Sequence, residues 1–185
     1  MTEFEVPVPE FSRPIQVTEL AGQRVFDLKA DAEERAKLAT RFGLDALDRF
    51  VARVVVRPVA GNVTVDLSAH FEADVVQTCV VTLEPVRSTI AGDFEAIFSS
   101  TVHLEEEGDS VDIDPEAPEP PEPIVDGKID LGEVVAERLG LEIDPFPRAP
   151  GAEFKGFTVG ADAQERPVER RNPFAALAKL RPGKN

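Results

Sequence analysis

The chain carries one cysteine, Cys79, and two histidines, His70 and His103, the side chains best suited to nucleophilic or near-neutral acid–base chemistry. A reactive thiolate at Cys79 needs a neighbouring cation or a helix N-terminus, and Arg87 is the only cation close to it in sequence. His70 falls on the polar side of a strand pattern and His103 just before an acidic run; both read as surface histidines. No spacing singles out a pair of carboxylates, and Gly183-Lys184 lacks the preceding strand of a phosphate loop. A zinc site needs about four ligands, which one thiol and two scattered histidines do not supply. With no convergent acid, base and nucleophile, the expectation is a protein that is not an enzyme and takes no cofactor, metal or small-molecule substrate.

Charge is the second signal. The 185 residues include 20 basic and 35 acidic side chains, a net charge of −15, and a uniformly acidic surface repels phosphate. The charge is uneven. Residues 105–123 hold nine acidic side chains, five prolines and no basic residue, which is the composition of a disordered linker. Residues 166–185 hold six basic side chains against Glu169 alone. Direct contact with RNA or a protein partner is therefore expected there, through Arg166, Arg170, Arg171, Lys179 and Arg181. Phe174 and Leu177 would dock a short helix over 172–180, with Asn172 as N-cap and Pro173 at N1.

The elements that would position these groups are read from periodicity. Residues 1–12 are expected to be extended or frayed, as a flexible N-terminus. Ile15/Val17 and Phe26/Leu28 alternate as two short strands. Asp31, Glu34 and Gly43 predict a capped helix over 32–42, with Leu44, Leu47 and Phe50 continuing as a further helical turn. Val63 to Asp74 alternate strictly, as a strand with one wet face. A second long strand follows Pro85, and Gly92 within it predicts a bend or bulge. Ile124–Asp130 reads as a short strand. Asp130 then caps a second helix, with an Ile129–Val134 staple, ending at Gly140. The fold expected is α+β: an antiparallel sheet or partly open β-barrel of about five or six strands with two or three packed helices. Its single domain would span 13–104 and 124–160, followed by a basic tail over 161–185. No secretory leader pattern or long apolar run is visible, so a cytoplasmic location without membrane contact is expected.

Three blocks occur in order: QTCVVTLEPV at 77–86, IDLGEVVAERLGLEIDPFPRAPGA at 129–152, and NPFAALAKL at 172–180. Together they resemble the YceD family of large ribosomal RNA subunit accumulation proteins, in the form found in alphaproteobacteria. The likeness spans about Phe11 to Leu180. The family pattern often reads C-x-x-C-L-x-P at the first block. Cys79, Leu83 and Pro85 match it, and Thr82 stands at the second cysteine; Asp130, Leu131 and Gly132 match the second block. Many members carry a further cysteine pair after that helix, where this chain has none, which argues against the zinc such pairs would bind. The resemblance implies a role in making or accumulating large-subunit rRNA, with that rRNA or a large-subunit precursor particle, or a ribosomal protein, as partner. The alternative is an acidic module that holds a basic ribosomal protein. Cys79 reads as a buried hydrophobe in a turn held by Val80, Val81 and Leu83, so Cys79→Ala or Cys79→Ser is expected to fold with little loss.

Overall fold

The computed structural model describes residues 9–59, 63–101 and 120–153. Through Ala152 these belong to one compact unit, and the chain from Glu153 is a second. The element order is β1 (Pro14–Gln16), a 3-10 turn, β2 (Arg24–Lys29), α1 (Ala32–Phe42), β3 (Ala46–Val59), β4 (Thr64–Thr78), β5 (Pro85–Ser99), β6 (Glu122–Pro123), β7 (Lys128–Asp130) and α2 (Leu131–Glu142). The fold is α+β. A five-stranded sheet, β2-β3-β4-β5-β6, is antiparallel except for the short β5–β6 pair, and β1 and β7 make a small second sheet. The main sheet does not close into a barrel.

Alternation decides which face is buried. Phe50, Ala52, Val54 and Val56 of β3, and Val65, Leu67, Ala69, Phe71 and Ala73 of β4, join the core with Leu38 of α1 and Leu131, Val135 and Leu139 of α2. The opposite face is wet and charged, and Asp27, Arg53, His70 and Asp93 lie side by side across four strands. Asp31 and Glu34 form the expected capping box, and Gly43 ends α1 in the left-handed conformation.

Six expectations are corrected. Leu44–Phe50 is not helical, because β3 begins at Ala46. Leu47 and Phe50 are three apart yet both buried, since a bulge between Leu47 and Arg49 inserts one residue and turns both inward. Gly92 marks no bulge. The β4–β5 register is unbroken, and Gly92 lies opposite Phe71, whose ring would be 2.9 Å from an added Cβ. Gly140 does not end α2; it lets Phe42 of α1 approach, with 3.1 Å to a hypothetical Cβ. Ile124–Asp130 is not one strand, because Asp126 and Gly127, at φ 53° and 70°, turn the chain between β6 and β7. Glu122–Pro123 is strand rather than linker. Phe11, 1% exposed against Phe50, is core, so packing starts before the expected boundary at residue 13. The acidic stretch 102–119, His103 and the helix expected over 172–180 lie outside the described residues.

The two helix N-termini converge on Arg13. Its N–H donates to Asp130 Oδ1 at 2.7 Å, and its carbonyl accepts from Leu131 N at 3.2 Å. Its guanidinium grips both oxygens of Glu34 at 2.7 and 3.0 Å, which holds the Glu34 carboxyl below its ordinary value. The Asp130 carboxylate also accepts from Ser12 Oγ, Gly132 N and Glu133 N. Gly132 is required by close approach, since a Cβ there would collide with the Phe11 carbonyl. Asp130→Ala should cost about 3 kcal/mol, from a lost N-cap and stranded donors. Gly132→Ala should cost about 2 kcal/mol by overpacking. Equilibrium urea unfolding measures both, and a loss below about 1 kcal/mol for Asp130→Ala would contradict the clasp.

Candidate functional site

Residues 79–84 form the loop between β4 and β5, closed where Thr78 pairs with Pro85. Cys79 N donates to Glu84 O at 2.8 Å and Leu83 N to Cys79 O at 3.0 Å. A second loop after α2 leans on this one. Val80 N donates to Pro147 O at 2.9 Å, and Gln77 Nε2 to Asp144 O at 2.9 Å. Cys79 Sγ lies between the two loops and accepts from Val81 N at 3.4 Å, Thr82 N at 3.3 Å and Ala149 N at 3.2 Å. The sulfur is thus the acceptor that ties a hairpin to a segment 70 residues away.

These donors set its ionisation. The Thr82 hydroxyl first, then the Ala149 and Thr82 amides, pull the thiol from its ordinary 9.0 down to about 6. Arg87, the sequence-near cation, is engaged with Asp48 at 2.6 Å. The thiol is fully buried, so its ionised form is held rather than offered to a substrate.

The turn is not held by burial of its apolar side chains, as expected from sequence. Leu83 is 77% exposed and Val80 is 46% exposed. Leu83 also has φ 61°, a left-handed conformation that costs a Cβ-bearing residue about 1–2 kcal/mol. Hydrogen bonds to sulfur and backbone hold the loop, so replacing Cys79 strands donors, contrary to the expectation of little loss.

The donor set does not fit zinc. The groups aimed at Sγ are N–H and O–H donors, and the loop after α2 contributes the Ala149 amide rather than a further ligand. Among the described residues no group of three or more His, Cys, Asp or Glu gathers to hold a metal. His70 is exposed, 3.0 Å from Asp93 and 3.7 Å from Glu72, beside a shallow hollow of about 470 Å³. Ser68 lines the same hollow, and no hydrogen bond joins it to His70 among the described residues. Along the open face Arg49, Arg53 and Arg57 are each paired, with Glu72, Asp27 and Asp66. The matching second-block residues are structural: Asp130 caps, Leu131 is fully buried, and Gly132 admits the Phe11 backbone. Arg13 and Glu34 were not legible as a unit, because their pairing crosses elements. The basic candidates Arg166, Arg170, Arg171, Lys179 and Arg181, with Phe174 and Leu177, lie outside the described residues.

A family model described as large ribosomal RNA subunit accumulation protein YceD matches residues 67–181. The chain belongs to the YceD family. The matched span starts within β4, later than the resemblance from Phe11, and takes in the Cys79 hairpin, β5 and the Asp130 cap. YceD membership ties the chain to accumulation of large-subunit rRNA. No curated protein and no solved structure matches it. No helix among the described residues is long and apolar enough to cross a membrane.

Two outcomes follow from the knuckle. The folded Cys79 thiol ionises at a lower pH than the unfolded one, so its contribution is complete above about pH 9 and is lost as pH falls through about 6. The stability gap between the native chain and Cys79→Ser should therefore widen from pH 6 to pH 8; urea midpoints measure the gap, and ultraviolet thiolate absorbance follows the ionisation directly. Leu83→Gly should leave stability unchanged or raise it by up to about 1 kcal/mol, by releasing the left-handed strain.

Proposed function

We propose that the protein is a non-catalytic factor supporting synthesis, processing or accumulation of large-subunit rRNA in the cytoplasm, acting by binding. The family match over 67–181 carries this reading. The site chemistry supports it, since the Cys79 thiol is buried in a structural knot. Contact with rRNA or a large-subunit precursor particle is assigned to Arg166, Arg170, Arg171, Lys179 and Arg181, and Phe174 and Leu177 seat the short helix. Depleting the protein should lower large-subunit rRNA relative to small-subunit rRNA, and Arg170→Glu with Arg171→Glu should reduce RNA crosslinking. An unchanged rRNA ratio would refute the role.

A second reading is favoured by the open face, where Arg49, Arg53 and Arg57 are already neutralised and offer phosphate little. In that reading the acidic chain holds a basic ribosomal protein before it reaches rRNA. RNase-resistant capture of one ribosomal protein would support it, and capture lost with RNase would support direct RNA binding.

A further inference from the structure

The main sheet ends on β5 almost without a partner. β6 covers only Phe98 and Ser99. Ser99 O accepts from Ile124 N on that side, whereas Ser100 N donates the opposite way, to Val63 O. Peptide groups alternate along a strand, so Arg87, Thr89, Ala91, Asp93, Glu95 and Ile97 all turn theirs to the outer edge. No backbone partner meets them there among the described residues. Natural edges are normally short, bulged, or guarded by lysine or proline. The other edge, β2, obeys this, being six residues long and ending in Lys29. β5 does not: it is 15 residues long, pairs with β4 without a bulge, and has no lysine, and no proline after Pro85.

Beyond Arg87, which is paired with Asp48, the charge along this edge has one sign. Asp93 is 84% exposed and, among the described residues, pairs only with His70. Glu95 has no ion-pair partner among the described residues. Glu122, on β6, closes the far end, with Arg138 no nearer than 3.9 Å. On α2, the Glu137 carboxyl is pushed up by burial and then by Glu133 and Glu122, as happens where carboxylates outnumber nearby cations.

We propose that the free edge of β5 takes an extended basic segment of a partner protein as an added strand. The partner's backbone pairs with the outward peptide groups of residues 87–97, and its lysines or arginines meet Asp93, Glu95 and Glu122. Strand addition of this kind draws affinity from main-chain bonds and selectivity from flanking side chains. RNA lacks the peptide ladder and is repelled by the carboxylates; a second copy would bring the same carboxylates together. The proposal deepens the acidic-holder reading and rests on it.

The test uses the full chain and a fluorescein-labelled peptide of alternating lysine and threonine, read by anisotropy. A peptide of the same charge, N-methylated on every second residue, removes the ladder, and an oligouridine tests RNA. The unmodified peptide should bind, and the methylated one should bind about tenfold more weakly, as expected for lost hydrogen bonds. Ala91→Pro, whose missing N–H faces the open edge, should weaken binding similarly, as should Asp93→Lys with Glu95→Lys. Equal binding of the two peptides would overturn the edge proposal while leaving the acidic-holder reading standing. Failure of both peptides to bind would overturn both. Displacement of the peptide by oligouridine, or self-association abolished by Ala91→Pro, would assign the edge to RNA or to a second copy and overturn the proposal. If Ala91→Pro does not fold, the peptide comparison on the native chain decides.

Discussion

The carboxylate of Asp130 is the constraint on which the rest of this structure depends. It accepts from Ser12, Arg13, Gly132 and Glu133, so one side chain caps α2 and fixes the first packed residues of the unit. A single charged acceptor suits this task, because donors at a helix N-terminus have no intrahelical partner and favour negative charge. Arg13 extends the arrangement to α1 through Glu34. Both helices are thereby placed on the same face of the sheet, and the opposite face is left to cross-strand ion pairs.

A second knot, chemically different, lies around Cys79. A buried sulfur accepts from amides of its own hairpin and of the loop after α2. Here backbone dipoles point at one sulfur. The low thiol pKa follows from the Thr82 hydroxyl first and then from those dipoles, and burial marks it as an architectural charge rather than a nucleophile.

Much of the fold was legible in single segments. Asp31, Glu34 and Gly43 announced α1, and the alternation from Val63 to Asp74 announced β4, because caps and period-two patterns are local. Errors fell where a distant partner decides. Leu47 and Phe50 have helical spacing, but pairing with β4 and one bulged residue produce the same inward pair in a strand. Gly92 and Gly140 read as breaks, yet each is a gap filled by a phenylalanine from another element. The candidate site was half legible. Cys79, Leu83 and Pro85 stood out as a pattern, whereas the amide of Ala149, the third donor to the sulfur, carries no sequence signal.

The Asp130 clasp also bears on the order in which the chain can fold. The β3–β4 and β4–β5 pairs close short connections, so they can form early. The bond from Arg13 to Asp130 joins residues 117 apart, and closing that span costs more chain entropy than either hairpin. During synthesis Arg13 can meet Glu34, and Phe11 can meet Phe50, before α2 has been made, but the bond to Asp130 must wait for it. The Asp130 half of the clasp is therefore the last to close, and it completes the core only after nearly the whole unit exists.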